Sequence, residues 1–355
     1  MSGADPSLQA IGWPLDLPLP ELAPGERLAR VIEQHRSAFT LHDGRDRLRA
    51  QAPRGLVLDA DQQQGRLAVG DWVAAIGDAE PLGMARSLPR RSVLRRAAAG
   101  ERYKEQVLAP NIDLAVIVMG LDGDYNPRRL ERYLTLVGAA GIEGLVVLSK
   151  ADRCDQLAER FAETQALAGT TPVLAINCKD PQAVAPIGAR LGPGRSGVLL
   201  GSSGAGKSTL SNALIGNAGQ KTGEVRASDS RGRHTTTSRS LLSLPSGGCL
   251  IDSPGMRELK LIGDEPIEED RFADIEALAS HCRFSDCAHV AEPGCAINAA
   301  IEAGTLDGAR FDHYLKLSGE RDAAAGQRAA QQKKADDKAS NRALNQRLIG
   351  KYGRR

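Results

Sequence analysis

Aromatic side chains are scarce in this sequence, and it contains no long run of apolar residues. Phe, Tyr and Trp together make up 3% of its 355 residues, so any hydrophobic core must be built mainly from Val, Leu, Ile and Ala. The best apolar run, Leu114–Met119, has the length of a β-strand, whereas a membrane-spanning helix needs roughly 18 residues. The N-terminus, MSGADPSLQA, has neither the basic flank nor the apolar core of a signal peptide. These absences predict a soluble, cytoplasmic protein without a membrane segment.

Cysteine is rare as well, with six residues, of which three fall within 14 positions near the C-terminal end. Nothing in the sequence indicates secretion, so a disulfide framework is not expected and a metal site is considered instead. The net charge of +2 conceals an uneven distribution. Residues 320–355 hold ten basic and four acidic side chains, and residues 86–104 hold seven basic and one acidic. Basic segments of this kind favour a nucleic acid partner.

The length suggests roughly two or three domains, and the texture of the sequence changes along the chain. Residues 1–25 contain five prolines and are predicted to form an irregular or disordered arm. Residues 26–97 show short apolar–polar alternations between turn signals, which predicts a small β-barrel. In residues 98–270 short apolar runs alternate with helix-length segments, as is typical of a doubly wound parallel sheet. Residues 271–319 contain the cysteine cluster and a helical segment, and residues 320–355 form a basic tail rich in Ala, Gln and Lys.

A phosphate-binding loop is indicated by Gly-Ser-Ser-Gly-Ala-Gly-Lys-Ser, which fits the P-loop pattern G-x-x-x-x-G-K-[ST]. Its glycines allow backbone N–H groups to surround a β-phosphate, and the N-terminus of the following helix adds positive potential. Lys207 would reach the β- and γ-phosphates, and the Ser208 hydroxyl would bind Mg²⁺. The residues predicted to bind nucleotide here are Gly201, Ser202, Ser203, Gly204, Ala205, Gly206, Lys207, Ser208 and Thr209.

Two further segments fit a nucleotide switch. An apolar strand ends in Asp-Ser-Pro-Gly, in which Asp252 would lie near Mg²⁺ through water and the Gly255 N–H could sense the γ-phosphate. Between the P-loop and this strand, His-Thr-Thr-Thr offers three hydroxyl groups in a polar loop. Thr236 is predicted to complete the Mg²⁺ shell, and Thr235 and Thr237 are the alternatives.

The residue after the Asp-Ser-Pro-Gly segment bears on the rate of hydrolysis. Met256 stands where many GTPases place a glutamine that orients the attacking water, and an apolar side chain cannot do so. Slow basal hydrolysis is therefore expected, and His234 is the candidate for positioning the water. A loop histidine in solvent is the alternative. The predicted catalytic set is His234, Lys207 and Thr236.

A base-recognition motif distinguishes a GTPase from an ATPase. An apolar strand ends in Ser149, Lys150, Ala151 and Asp152, one substitution from the guanine-reading pattern N-K-x-D. Asp152 could accept hydrogen bonds from both N1–H and the exocyclic amine of guanine, a pair that adenine does not offer. Lys150 would lay its stem along the base, and residues 177–179 would supply a backbone contact. This motif precedes the P-loop, the reverse of the order in ordinary G proteins, which indicates a circular permutation of the same sheet.

The cysteine cluster predicts a metal centre. Cys282, Cys287, His289 and Cys295 follow the spacing C-x4-C-x-H-x5-C and supply three thiolates and one imidazole. Four such ligands fit tetrahedral Zn²⁺ and leave no open position, so the site would be structural. His281 is a competing ligand, and a set of reduced, buried thiols is the alternative to a metal.

Taken together, these motifs resemble those of one family. Their permuted order, followed by the C-x4-C-x-H-x5-C cluster, is similar to that of the ribosome small-subunit-dependent GTPase A family, also called RsgA or YjeQ. The resemblance runs from about residue 27 to residue 319. It includes the segments Val69–Val73, Pro89–Arg95, Gln106–Asp113 and Gly294–Ile297.

The resemblance implies an N-terminal OB-fold, a circularly permuted GTPase domain and a helical zinc-binding domain. It also implies a GTPase that binds the 30S ribosomal subunit and its 16S rRNA and acts in late maturation. GTP hydrolysis would be stimulated by the subunit and coupled to release of assembly factors. One Zn²⁺ per chain, Mg²⁺ with GTP and a monomeric chain are expected. Ser149 stands where the family usually has Asn, and because it is shorter, the departure bears on nucleotide affinity rather than on the choice of base.

Two other functions remain as alternatives. A P-loop ATPase or small-molecule kinase would share the phosphate loop, although Asp-Ser-Pro-Gly and the Asp152 carboxylate argue against it. An RNA-binding protein with a non-catalytic nucleotide site would use nucleotide only to hold its domains together.

Overall fold

The structure, a computed structural model, describes residues 5–35, 38–51, 67–97, 105–216, 239–252, 272–290, 292–312 and 314–319, and also residues 322, 326, 329, 330 and 333. By internal packing the chain divides into two compact units. The first consists of Met1–Arg95 and Val107–Leu259, and the second of Arg96–Gln106 and Lys260–Arg355. The first unit therefore contains most residues of the predicted barrel and of the predicted GTPase segment, while residues 96–106 and 260–270 of these segments belong to the second unit. The finer domain bounds proposed from the sequence remain a prediction.

The first unit begins with a barrel of five strands, β1 (Glu26–Gln34), β2 (Phe39–His42), β3 (Arg47–Gln51), β4 (Trp72–Ile76) and β5 (Leu82–Ser87). β1 pairs with β2 and with β4, β2 pairs with β3, and β5 joins β3 to β4, so the sheet closes on itself. Five short strands closed in this order form an OB-fold, as the sequence analysis predicts. The register between β1 and β2 shifts between Val31 and Glu33, and such a bulge bends a strand.

Residues 5–25 pack against the barrel. Apart from the helix α1 (Pro6–Gln9), the segment contains no helix or strand. Its buried side chains form one cluster with barrel residues: Leu8, Ile11, Trp13, Leu28, Trp72 and Leu88. The rings of Trp13 and Trp72 meet edge to face with their centroids 4.9 Å apart, a favoured aromatic geometry. Of the two predicted alternatives, the arm is irregular and packed, because three apolar side chains between its prolines find a surface on the barrel.

Between residues 93 and 252 the described part of the chain contains eight strands and four α-helices. The strands are β6 (Val93–Ala97), β7 (Glu105–Pro110), β8 (Leu114–Gly120), β9 (Glu143–Ser149), β10 (Val173–Ala175), β11 (Ser196–Leu200), β12 (Ser240–Ser243) and β13 (Cys249–Asp252). The helices are α2 (Pro127–Ala139), α3 (Leu157–Ala168), α4 (Pro181–Arg190) and α5 (Lys207–Ile215). β6 and β7 pair with each other, and the other strands form one sheet in the order β10-β9-β8-β11-β13-β12.

This sheet is parallel except for β12, which runs antiparallel to β13. Its sequence of apolar runs and helices predicts such a sheet, because parallel strands are covered on both faces. β12 also pairs with β1 at Ser240 and Glu33. The six-stranded sheet β10-β9-β8-β11-β13-β12, called the nucleotide sheet below, therefore continues into the barrel. Every residue of β8 is buried.

The core of this sheet is aliphatic, as the scarcity of aromatic residues predicts. Its buried members, apart from Cys178, are Leu, Val, Ile and Ala: Leu114, Val116, Val118, Leu145, Val147, Ile176, Val184, Ile187, Leu191, Leu199, Ala205, Leu210, Leu214, Leu244 and Leu250. Each fully buried Val, Leu or Ile contributes about 1.5–3 kcal/mol of transfer free energy. The sheet is therefore a rigid base for the loops at its edges.

A fully buried arginine joins the barrel to the nucleotide sheet. Arg30 of β1 is 0% exposed, and its guanidinium lies 5.2 Å from the ring centroid of Trp72. It donates to Ser196 Oγ of β11 at 2.7 Å and to Cys249 Sγ of β13 at 3.3 Å. The backbone carbonyl oxygens of Ile11, Gly70 and Asn111 also accept hydrogen bonds from the Arg30 guanidinium. Because a buried donor without a partner is costly, this set of bonds fixes the barrel against the start of β11 and β13.

From residue 272 onward, the described part of the second unit contains helices, beginning with the short helices α6 (Ala273–Ala279) and α7 (Ala296–Glu302). The sequence analysis predicts a helical segment here, and the structure interrupts it after Glu302. Gly304 has φ +70°, and residues 308–312 and 314–319 are helical again. Buried Phe272, whose ring centroid lies 5.3 Å from that of Tyr314, packs this part of the chain.

None of the helices in the described ranges has the length and apolar character that crossing a membrane would require.

Candidate nucleotide site and cysteine cluster

The predicted nucleotide motifs lie at one edge of the sheet. β8, β9, β11 and β13 run parallel, so their carboxyl ends meet there. β9 ends at Ser149, β11 leads into Gly201 and β13 ends at Asp252. Ligands of open α/β sheets bind outside the carboxyl ends of the strands. The topology therefore brings together motifs that lie about a hundred residues apart in the chain.

The P-loop connects β11 to α5, and its glycines have the conformations that the pattern requires. Gly201 has φ +141°, and a Cβ at this position would lie 2.2 Å from the carbonyl oxygen of Val118. The Lys207 ammonium donates to the carbonyl oxygens of Gly201 (2.7 Å) and Ser202. Ser203, Ser208 and the neighbouring Gly204 and Thr209 are exposed, whereas Ala205 is buried. The loop thus presents exposed hydroxyl groups at the amino end of α5, where an anion is favoured.

Ser149 connects the base motif to the P-loop. Its side chain is 1% exposed, and its hydroxyl donates to the carbonyl oxygen of Ala205 at 2.5 Å. The approach is so close that a Cβ at Gly206, which has φ +101°, would lie 3.1 Å from Ser149 Oγ. The residue that departs from the N-K-x-D pattern therefore holds the P-loop through a buried hydrogen bond. Sequence analysis does not predict this contact.

Lys150 and Asp122 form an ion pair beside the base motif. Lys150 has a left-handed backbone with φ +62°, and its ammonium contacts Asp122 Oδ2. This hydrogen bond holds the pKa of the Asp122 carboxyl below its ordinary value. With the ammonium fixed at its tip, the stem of Lys150 spans the region between the base motif and the loop after β8.

Asp152 lies in a short 3-10 turn, Ala151–Arg153, directly after β9. Its side chain is 43% exposed, and Arg153 Nε lies 3.8 Å from Asp152 Oδ2. Burial raises the pKa of the nearby Cys178 thiol to about 11, and the charge of Asp152 adds to the effect. The Ala151 N–H donates to the carbonyl oxygen of Ile176, so residues 177–179 follow immediately beside the base motif. An accessible carboxylate next to this loop is the arrangement that guanine recognition needs.

Of the predicted switch residues, Asp252 lies at the sheet edge and is exposed, paired across the ladder with Ser240 of β12. Its neighbour Ile251 pairs with Val198 of β11, so the Asp252 carboxylate stands beside the strand that carries the P-loop. The predicted residues Gly255, His234 and Thr236 lie outside the described residues, as do Thr235 and Thr237. Their roles remain predictions.

The four predicted metal ligands meet in space. One ligand atom from each of Cys282, Cys287, His289 and Cys295 lies within 4.8 Å of the others. His289 Nδ1 lies 3.5 Å from both Cys282 Sγ and Cys295 Sγ. His281 Nδ1 lies instead 2.7 Å from the carbonyl oxygen of Ala277, outside this cluster.

The electrostatics of the cluster favour a thiolate at one ligand. Burial raises the pKa of the Cys282 thiol, but hydrogen bonds from the backbone of Ala296 and Ile297, together with those with the Cys287 and Cys295 side chains, lower it, and the net pKa is lowered. The donor set of three sulfurs and one imidazole nitrogen, which lie within 4.8 Å of one another, fits a tetrahedral metal ion.

Two carboxylates contact the site without having been predicted from the sequence. Asp122 holds Lys150, and Asp124 accepts a hydrogen bond from Ser202 of the P-loop. Both lie in the loop between β8 and α2, in the run Leu-Asp-Gly-Asp-Tyr-Asn. The only available sequence signal is their position after a fully apolar strand, since carboxyl ends of parallel strands converge at ligand sites.

A phosphate loop and a guanine-type base motif, joined by a buried hydrogen bond with the base motif earlier in the chain, define a circularly permuted P-loop GTPase.

Comparison with known proteins identifies the family of GTPases to which the chain belongs. The model of the RsgA GTPase family matches residues 87–262. A protein of Xanthomonas euvesicatoria pv. vesicatoria (strain 85-10) is 50% identical over 322 residues, which is 88% of this chain and 88% of that protein. A protein of Xanthomonas campestris pv. campestris (strain B100) is 49% identical over 330 residues, 89% of this chain and 90% of its own. Both carry the name small ribosomal subunit biogenesis GTPase RsgA. The chain belongs to the RsgA family of GTPases, and it is a GTP hydrolase.

Solved structures agree on the fold. YjeQ from Thermotoga maritima aligns with a TM-score of 0.57 at 22% identity, over 83% of this chain and 98% of that chain. YloQ, described as a circularly permuted GTPase, aligns with a TM-score of 0.53 at 23% identity, over 83% of this chain and 95% of its own. The permuted GTPase fold inferred from the motif order is therefore confirmed.

Proposed function

We propose that this GTPase binds the 30S ribosomal subunit and acts in its late maturation, hydrolysing GTP to GDP and phosphate when the subunit stimulates it. Hydrolysis would be coupled to release of assembly factors. The name of the relatives at about half identity supports the subunit as partner. The observation that supports the nucleotide assignment is the hydrogen bond from Ser149 to Ala205, because it joins the base motif to the P-loop, and one guanine nucleotide would contact both.

Different residues of this site bind the base, bind the phosphates and position water. Asp152 accepts hydrogen bonds from the base, Lys150 lies along it, and the P-loop N–H groups with Lys207 hold the phosphates. We further propose that His234 positions the attacking water. Mg²⁺, when bound with GTP, would neutralise phosphate charge, and Ser208 and Thr236 are its proposed protein ligands.

The barrel offers the best surface for 16S rRNA. Arg45, Arg47 and Arg49 lie on or beside β3 and are exposed, and of these Arg47 is paired with Glu33. The β2–β3 face is where OB-folds bind oligonucleotides. The basic segment 86–104 contributes less than its composition suggests. Arg90 is paired with buried Asp71 at 2.6 Å, and Arg91 with Asp113 at 2.6 Å. Cytoplasmic location and a monomeric state complete this part of the proposal.

Zinc is the proposed occupant of the cysteine cluster. Structural zinc sites use sets of four ligands such as three thiolates and one imidazole. The four residues of the cluster would supply all four ligands of a tetrahedral zinc ion. A closed site of this kind stabilises a small module by coupling metal binding to folding. The two helices that flank the cluster, α6 and α7, have seven residues each, which agrees with a need for such a cross-link.

Measurement of GTP turnover tests this function directly. The full chain alone should hydrolyse GTP at about 10⁻⁴ to 10⁻² s⁻¹, the range of GTPases that lack a partner-supplied catalytic group. Purified 30S subunits should raise the rate, whereas 50S subunits, the matched control, should not. ATP in place of GTP should give no stimulated turnover. A rate that 30S subunits leave unchanged would refute the subunit as partner, and equal turnover of ATP would favour the ATPase alternative.

A further inference from the structure

A loop outside the recognised motifs lies between the two halves of the nucleotide site. The β8–α2 loop, residues 121–126, follows β8, which pairs with β9 on one side and β11 on the other. From β8 the chain proceeds outward through β9 and β10, then returns to the other side of β8 with β11. The strand order therefore reverses between β8 and β11, and ligands of open α/β sheets bind at such a reversal.

Asp124 of this loop contacts the P-loop directly. The Ser202 hydroxyl donates to Asp124 Oδ2, and Ser202 is 9% exposed. Arg129 NH2 donates to Asp124 Oδ1 at 2.7 Å and also to the Asp124 backbone carbonyl. The Asp124 side chain is 18% exposed. A charged acceptor makes a stronger hydrogen bond to a hydroxyl than a neutral one does, and Arg129 balances the negative charge next to a loop that binds phosphate.

The same loop is fixed to the base motif. The Leu121 N–H donates to the Ser149 carbonyl oxygen at 3.0 Å, and Asp122 binds the ammonium of Lys150. Inside the loop, the Asp124 N–H donates to Asp122 Oδ1 at 3.2 Å. At its end, Asn126 caps α2 by accepting from the Arg129 N–H at 3.0 Å. Asp124 is therefore held in place from both sides, and its contact with Ser202 is made from a fixed support.

We propose that Asp124 is a positioning residue for the P-loop. By holding the Ser202 hydroxyl it fixes the first turn of the loop, including the Ser202 carbonyl oxygen that Lys207 contacts. The phosphates of GDP and GTP then meet a loop already arranged to bind them, and preorganisation of this kind raises affinity. This inference rests on the proposed function, since it assigns the loop's ligand as a guanine nucleotide.

A double-mutant cycle on the full chain tests the proposal, with GDP and GTP affinities measured by titration with fluorescent nucleotide analogues. Asp124→Ala and Ser202→Ala should each weaken binding about tenfold, the lower range for losing a hydrogen bond to a charged group. The double variant should be no weaker than either single one, because both remove the same bond. Asp124→Asn keeps an oxygen acceptor and should recover most of the affinity.

The control is Asp155→Ala, which removes the same charge from an exposed side chain next to the base motif. Its affinity for GDP should match the unmodified protein. The preference for GDP over IDP, which lacks the exocyclic amine, should stay constant in the Asp124 variants, because Asp152 reads that group.

The outcomes separate this inference from the proposed function. Additive effects of Asp124→Ala and Ser202→Ala, or unchanged GDP affinity in Asp124→Ala, would overturn the positioning role while the protein still binds GDP. If Asp124→Ala does not fold, Ser202→Ala replaces it in the test, and unchanged GDP affinity in that variant would overturn the role equally. An unmodified chain that binds no guanine nucleotide would overturn the proposed function and this inference with it.

Discussion

Replacing Ser149 by Ala tests how the base motif and the P-loop cooperate. The hydroxyl is buried, and it makes a 2.5 Å hydrogen bond to the Ala205 carbonyl oxygen. The substitution removes the donor and leaves the acceptor buried, which costs about 1–3 kcal/mol. The methyl group of Ala fits where the longer side chain was, so packing changes little and the effect comes from the lost bond.

The free energy lost with this hydrogen bond is expected to lower both the stability of the folded protein and its affinity for nucleotide. We expect part of the loss to lower the stability of the nucleotide-free protein. The remainder lowers affinity, since nucleotide must then order two loops that are no longer joined. We expect the affinity for GDP to fall about fivefold, equivalent to about 1 kcal/mol, with a lower thermal midpoint in the absence of nucleotide.

The assay compares GDP dissociation constants and thermal midpoints of Ser149→Ala with those of Ser243→Ala. Ser243 lies on β12 and is exposed, so it offers the same chemical change at a site without a buried bond. If the two variants gave the same affinity and the same midpoint, the proposed tether between base motif and P-loop would be refuted.

Three other substitutions probe the nucleotide site and the cysteine cluster. Gly206→Ala should reduce GDP affinity by about 1–3 kcal/mol, because the new Cβ meets Ser149 Oγ at 3.1 Å in a left-handed backbone; calorimetric titration that finds unchanged affinity would contradict this. Asp152→Asn should lower GTP affinity by about 1.5–3 kcal/mol through loss of a charged acceptor, and unaltered GTP binding would remove the guanine assignment. Cys287→Ser should lose the metal that elemental analysis is expected to find as one zinc per chain, whereas zinc-free unmodified protein would rule out the closed site.

Two features of the protein could be predicted from short stretches of sequence. The P-loop comes from one continuous turn between β11 and α5, and its backbone dihedrals depend on its own glycines, such as Gly201 with φ +141°. The cysteine cluster likewise draws all four ligands from 14 consecutive residues. Where the groups that act together are neighbours in the chain, residue type and spacing determine which of them meet. The buried parallel strands are predictable for a similar reason, because each is an apolar run by itself.

The contacts that assemble the site were decided only by the tertiary structure. Asp124 and Ser202 are 78 residues apart, and Ser149 and Ala205 are 56 apart. In the sequence, Asp124 is one acidic residue in a polar loop, and Ser149 is a departure from the N-K-x-D pattern. Neither residue lies in a periodic or spaced pattern from which the residue it contacts could be predicted. The contacts of Arg30 could not be predicted from the sequence either. A charged residue within a largely apolar strand does not indicate that five acceptors in other segments of the chain surround its guanidinium. Strand order placed β8 between β9 and β11, and only that arrangement determined which polar side chains came within hydrogen-bonding distance.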